Sequence, residues 1–299
     1  MSATTQVRAA LAETALLQGF NPTGAQLLQE AQNWVFRLPE AGVVAKVHGR
    51  STTHGAAKLQ IRAAKALTAA GIPTAAPVGR IAYPMRARGH LVTFTKDLGD
   101  QRPTPGQLGE LAARLHRTLP LTRIGLPLAD RITARARRID GLLSEAISDR
   151  DRAHLHQLLA DAAHAHERIA WSTYTVHGDL NLGNAALTPE GAVLLDLETV
   201  HLGDPAWDRA CMAWARDVFG YDAAHHEDFA AAYGHDVTTA DGGLKYQVLT
   251  PLFGIGAYLY YAEWAARSSR PEVQAEADRR LETLLSRRPL PWNWSPVNV

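Results

Sequence analysis

The sequence predicts an α+β fold built from two segregated parts, a small β-rich one followed by a larger, mainly helical one. Three observations carry this. Short apolar runs bounded by turn residues dominate up to about residue 95. A connector with Gly99, Pro103, Pro105 and Gly106 follows, and beyond it the apolar spacing turns helical. Short strands then return near residue 173 and give way to helices again.

Taken in order, the first twenty residues have helical spacing and lack the basic start and cleavage site of a signal peptide. Residues 25–48 read as strands. Trp34–Leu38 and Val43–Val47 flank Pro39-Glu40-Ala41-Gly42, which is turn chemistry. A helix runs from there to about Ala70 and stops at Gly71, with Pro73 close behind. Val78–Tyr83 and His90–Thr95 are the next strands expected. Gln107–Arg117, Asp130–Ile147 and His154–Trp171 are expected to be helical. Thr173–Val176, Ala185–Leu187 and Ala192–Leu197 are strands, the last two joined by the turn Thr188-Pro189-Glu190-Gly191. Helices resume at Pro205. The final ten residues, with Trp292 and Trp294, read as an irregular tail. The expected division is a first part of residues 1–95 and a second of residues 96–299, with a cleft between them.

Composition bounds the function. A 299-residue chain with 46% hydrophobic residues supports a sizeable core. No apolar run approaches the roughly 20 residues that span a bilayer. With Cys211 the only cysteine there is no internal disulfide, and a reduced, cytoplasmic setting is expected. Residues 1–95 hold ten basic side chains against three acidic ones, a net of +7. The overall charge of +1 leaves −6 for the remainder. A basic first part suits a polyphosphate, and an acidic second part suits a cationic co-substrate. Nucleic acid is not an expected partner, because no basic-aromatic motif or Cys/His metal spacing is present.

The richest stretch is His177-Gly178-Asp179-Leu180-Asn181-Leu182-Gly183-Asn184, followed twelve residues later by Asp196 at the end of an apolar run. Moving a phosphoryl group from a nucleotide needs neutralised phosphates, an aimed hydroxyl and a place for its proton. Asp179 suits the hydroxyl and its proton. Asn184 and Asp196 offer hard oxygen donors suited to Mg²⁺. Lys46, late in an apolar strand, is within reach of the phosphates. His177 reads as a buried, hydrogen-bonded loop anchor. Glu198 reads either as an aid to the metal or as a salt-bridge partner.

These motifs resemble those of the aminoglycoside phosphotransferase and choline kinase superfamily. His177-Gly178-Asp179-x-x-x-x-Asn184 and Leu195-Asp196-Leu197-Glu198 carry the likeness. Gly71-Ile72-Pro73, Leu115-His116 and Gly203-Asp204-Pro205-Ala206-Trp207-Asp208 extend it over residues 24–235. The resemblance implies a two-lobe, protein-kinase-like fold. It implies Asp179 as the catalytic residue, Asn184 and Asp196 as metal ligands, and Lys46 on the α- and β-phosphates. It further implies that the backbone of Thr95 and Asp97 meets the adenine, that Gln32-Asn33 lies above the phosphates, and that Asp208 braces the catalytic loop. ATP or GTP would be the donor, with Mg²⁺ as cofactor. The acceptor would be a small-molecule hydroxyl, first an aminoglycoside or other basic antibiotic. A metabolite such as an amino alcohol, sugar or nucleoside is the alternative, and a catalytically weak nucleotide binder is the other.

One departure stands out. This fold normally pairs its strand lysine with a Glu on the following helix. No Asp or Glu occurs from Ala41 to Lys96, and Gln60 stands at about the expected helical position. Lys46 is then held by Gln60 and nucleotide alone, or by a carboxylate from the larger second part, or it is held poorly and the protein is a weak or degenerate kinase. The first is the expectation. It predicts that Gln60→Glu retains or improves nucleotide affinity.

Overall fold

The computed structural model describes residues 3–30, 33–80, 84–118, 124–128, 130–143 and 146–295. The chain forms two compact units, residues 1–126 with 177–201, and residues 127–176 with 202–298.

The first unit opens with α1 (Ala3–Gln18). An antiparallel sheet follows, made of β1 (Gln26–Glu30), β2 (Trp34–Leu38), β3 (Val43–Val47), β4 (Met85–Ala87) and β5 (His90–Lys96) in the order β1-β2-β3-β5-β4. The turn expected at residues 39–42 is a single 3-10 turn closed by Gly42 in the left-handed region, φ 61°. Side chains alternate across a strand. Val43, Ala45 and Val47 therefore enter a core with Phe36, Leu38, Val92, Phe94 and the Val7–Leu11 face of α1. Val44 and Lys46 take the opposite face, beside Arg37 and Val35 of β2 and Thr95 and Thr93 of β5.

The helix expected up to Ala70 is α2 (His54–Ala69), capped by the Thr53 hydroxyl, which accepts the Ala56 N–H at 3.1 Å. After it, Pro73 and Ala75 bond to both sides of Leu194. The expected strand Val78–Tyr83 is corrected. Residues 78–80 form no strand, because Gly79 sits at φ 118° and Pro77 removes a donor. Val78 makes one bond to the Phe94 carbonyl. Residues 81–83 lie outside the described residues. The edge strand is β4 instead.

The connector leads to α3 (Pro105–Arg117), which opens on a capping box of Thr104 and Gln107. Residue 95, the expected boundary, lies within the first unit. The connector continues into that unit's own structure, where Gln101 accepts the Leu187 N–H and α3 packs on the later hairpin.

In the second unit, α4 (Arg131–Asp140) is shorter than the expected Asp130–Ile147. It stops at Gly141, and Ser148 caps a new helix, α5 (Asp149–Glu167), through the Asp151 N–H. β6 (Tyr174–Val176) follows. Residues 177–201 belong to the first unit and carry the hairpin of β7 (Ala185–Thr188) and β8 (Gly191–Leu194). β8 ends three residues before the expected Leu197. β9 (His201–Gly203) pairs with β6.

The rest of the second unit is α6 (Ala206–Phe219), α7 (Ala223–Tyr233), α8 (Ala240–Ala265) and α9 (Pro271–Leu285). Their core includes Trp214, Tyr258, Leu259 and both tail tryptophans, Trp292 and Trp294. Residues 290–295 are irregular as expected, yet part of the core. Trp292 and Trp294 donate backbone bonds to Asp217 and Val218, and a Cβ at Gly254 would meet the Trp292 ring at 2.8 Å. No helix among the described residues is long and apolar enough to cross a membrane.

Candidate active site

The motif residues gather in the first unit, where strand register, one helix and one hairpin assemble them. A cavity of about 300 Å³ is lined by Val35, Lys46, Gln60, Thr93, Asn184 and Asp196, among others. Lys46 enters it because its position in β3 faces away from the α1 core. Asn184 and Asp196 enter it through the hairpin. Ala185 pairs with Leu194, and Leu195 donates to the Asn184 carbonyl at 2.9 Å, so the residue after Leu195 lies beside Asn184.

Asp196 adopts the left-handed conformation, φ 46° and ψ 70°, which Asp tolerates better than most residues. That turn ends β8 and starts a 3-10 turn over residues 197–199. Both acids of the turn reach Lys46. Its Nζ lies 2.8 Å from Asp196 Oδ1 and 2.7 Å from Glu198 Oε2. Burial works to lower the pKa of this ammonium, but the two carboxylates outweigh it and hold the pKa above its usual value. The expectation that Gln60 and nucleotide alone hold Lys46 is therefore corrected. The carboxylates come from further along the chain, and Gln60 lines the same cavity.

His177 and Asn181 shape the loop that carries Asp179. His177 is fully buried. Its Nε2 lies 2.8 Å from the Leu195 carbonyl, and the Asp179 N–H points at its Nδ1 at 3.4 Å. This pattern makes Nε2 the protonated nitrogen and ties the loop to the Asp196 segment. Thr199 adds a bond from its hydroxyl to the His177 carbonyl at 2.9 Å. Gly178 between them stands at φ 86°.

Asp179 is exposed and held from below. Asn184 Nδ2 donates to its Oδ2 and to its carbonyl, both at 2.8 Å. Asn181 Nδ2 donates to its Oδ1 at 3.3 Å, while Asn181 Oδ1 accepts the N–H groups of Gly183 and Asn184. A Cβ at Gly183 would sit 2.9 Å from that oxygen. Asn181 was not singled out from the sequence. Its signal was present, since Asn two residues before Gly is Asx-turn chemistry.

With its amide hydrogens spent on Asp179, Asn184 presents Oδ1 as a hard donor, and Asp196 keeps Oδ2 beyond its bond to Lys46. Among the described residues no group of three or more His, Cys, Asp or Glu is arranged for a metal. Two oxygen ligands, completed by phosphate and water, are the set Mg²⁺ commonly takes. The donors present fit such an ion.

Asn33 precedes β2. It donates to Glu198 Oε2 at 3.3 Å and accepts the Gly49 N–H at 3.0 Å. Gln32 lies outside the described residues. Thr95 and Asp97 line the cavity, and their backbone groups turn toward β3 and the turn before it. Asp97 donates its N–H to the Gly42 carbonyl at 3.0 Å, and strand alternation turns the Thr95 backbone to β3 as well. Lys96 faces the other way, donating to Ala76, so its carbonyl and the Leu98 N–H are the backbone groups left at the cavity wall. The Asp97 carboxylate is held by Arg37 at 2.7 Å and by the Gly99 N–H at 3.0 Å.

His48 is buried next to this site, with Nε2 3.0 Å from the Thr93 hydroxyl. Burial, aided by the Lys46 charge, pushes its pKa down to about 4.

A family model described as a phosphotransferase enzyme family matches residues 22–245. A comparison with curated proteins finds no match. Similar solved structures include an amicoumacin kinase, hAmiN, in complex with AMP-PNP, Ca²⁺ and Ami, at 15% identity and a TM-score of 0.71, covering 100% of this chain and 98% of that one. The choline kinase LicA from Streptococcus pneumoniae is similar at 12% identity and a TM-score of 0.68, covering 96% and 100%. A choline/ethanolamine kinase family protein from Mesorhizobium loti is similar at 20% identity and a TM-score of 0.66, covering 96% and 95%. At these identities the likeness shows a shared fold, which is protein-kinase-like.

Proposed function

The chain belongs to the phosphotransferase enzyme family, and from that premise we propose that it phosphorylates a hydroxyl of an antibiotic, using Mg²⁺-ATP and the site around Asp179. It is an ATP-dependent phosphotransferase acting on the alcohol group of a small molecule. What carries the proposal is one arrangement. A cavity is lined by Lys46, Asn184 and Asp196, with Asp196 and Glu198 both on the Lys46 ammonium and Asp179 held by Asn184.

In this reading the Lys96 carbonyl and the Leu98 N–H form the edge that meets the base. Lys46 places positive charge at the phosphates, where negative charge shifts during transfer. Asn184 and Asp196 hold Mg²⁺, which when bound offsets phosphate charge. Asp179 orients the acceptor hydroxyl and takes its proton, its carboxylate fixed by two amide side chains. Proper aim of that hydroxyl is a large part of the catalysis.

An aminoglycoside or other basic antibiotic is the first acceptor class. The surplus of acids after residue 95 suits a cation, and the likeness to an amicoumacin kinase supports an antibiotic. Likeness to choline kinases keeps an amino alcohol as the second reading. The idea of a degenerate nucleotide binder loses its motive, because Lys46 is well paired. Titration of Mg²⁺-ATP in a calorimeter tests the nucleotide half of the proposal. Binding is expected, and Lys46→Met should weaken it about tenfold or more, as loss of a charge-assisted contact does. Equal affinity in both proteins would refute the role given to Lys46.

A further inference from the structure

We propose that Glu198 is the residue that positions Lys46 for the nucleotide phosphates, in place of an acid on α2. This rests on the function proposed above and deepens it. Residues 41–96 contain no Asp or Glu, so neither β3, α2, β4 nor β5 can supply a carboxylate to Lys46. The turn at 197–199 packs on α2 and delivers one from the other direction. Glu198 Oε2 lies 2.7 Å from Nζ and Asp196 Oδ1 lies 2.8 Å from it.

The two acids do different work. Asp196 faces both Lys46 and the ion expected at Asn184, so its charge is shared once the ion arrives. Glu198 is left as the acid whose bond to Lys46 is unaffected by that exchange. It also holds one other part of the site. Asn33 donates to the same Oε2, and its own Oδ1 fixes Gly49, which follows β3. Thr199, the next residue, is bonded to the His177 carbonyl of the catalytic loop. The Glu198 side chain thus connects the segment before β2 to the strand lysine, and its neighbour Thr199 ties the same turn to the loop at His177. The left-handed turn at Asp196 is what lets residues 196 and 198 address the same ammonium.

The test is a double-mutant cycle on nucleotide affinity, with Mg²⁺ and a non-hydrolysable ATP analogue, in four full-length proteins. These are the natural protein, Glu198→Gln, Lys46→Met and the double variant, each checked for an unchanged melting profile. Glu198→Gln keeps shape and removes charge. It should weaken binding about 5- to 10-fold, the lower end for a charged hydrogen bond because the pair is partly exposed. In the Lys46→Met background the same substitution should change affinity less than about twofold, since the partner is gone. The Mg²⁺ concentration giving half-maximal binding should be the same with Glu198 and with Gln. An equal loss in both lysine backgrounds, no loss in either, or a raised Mg²⁺ requirement would overturn the proposal. If the natural protein itself bound no nucleotide, the proposed function would fail, and that result is separate from any pattern within the cycle.

Discussion

Asp179→Asn separates the chemistry of this site from its architecture. The substitution keeps the shape of the side chain but replaces one carboxylate oxygen by NH₂. The amide oxygen takes the place of Oδ2 and keeps the 2.8 Å bond from Asn184. The new NH₂ then faces Asn181 Nδ2, so only the 3.3 Å bond is lost. The Asp179 carbonyl still accepts from both asparagines. Loss of one long, exposed hydrogen bond costs about 0.5 kcal/mol, which moves the melting temperature by a degree or two in a chain this size. Loss of the group that takes the hydroxyl proton slows turnover by about 10²–10⁴-fold, or roughly 3–5 kcal/mol of barrier. The assay pairs a thermal melt with steady-state turnover on any acceptor the enzyme accepts. A large rate loss with an unchanged melt is expected. Near-normal turnover would remove Asp179 from the mechanism, and a melt lowered by many degrees would mean that its role is to hold the loop.

Substitutions at Asp196, His48 and Trp294 probe the metal ligand, the buried imidazole and the tail in turn. Asp196→Asn, which tolerates the left-handed backbone, should cut turnover roughly 10²-fold or more and raise the metal requirement; an unchanged metal dependence refutes the ligand assignment. His48 carries its proton less readily folded than unfolded, so its share of stability is present above pH 6.5 and is lost as pH falls through about 4. That loss is roughly 3 kcal/mol, and His48→Gln should flatten the stability curve across this window; an unaltered slope in the variant would contradict it. Trp294→Ala removes a side chain only 1% exposed and should cost about 3–5 kcal/mol in denaturant unfolding, whereas a loss under about 1 kcal/mol would show that the tail is not part of the core.

The sequence showed most of this fold through punctuation. Gly42, Gly71 and the turn at 188–191 closed elements close to where the structure closes them. It misjudged the stretch around Gly79 and the end of α4. Gly79 breaks the backbone at φ 118° within a run that reads as a strand, whereas α4 ends at Asp140, with Gly141 still in the right-handed region. In the site, Lys46, Asp179, Asn184 and Asp196 could be singled out because their spacing is local or set by one strand or one hairpin. The partner of Lys46 was harder to see. Its position depends on a left-handed turn at Asp196 and on contact across 152 residues of chain, neither of which has a local pattern. The backbone edge at Lys96 and Leu98, proposed above to meet the base, has no local pattern either. Which way a strand residue points its N–H depends on the register with its neighbour, and Gly42 sets that register through Asp97.

The most direct test of the whole account is product formation. The purified protein is incubated with Mg²⁺-ATP and a mixed panel of aminoglycosides, other basic antibiotics, nucleosides, sugars and amino alcohols. Mass spectrometry then looks for the addition of one phosphoryl group, with Asp179→Asn in parallel. The account predicts a phosphorylated antibiotic that is absent from the variant reaction. A phosphorylated amino alcohol instead would move the acceptor to the second reading. ATP bound by the protein with every compound returned unmodified, or a product formed equally well by Asp179→Asn, would contradict the central claim.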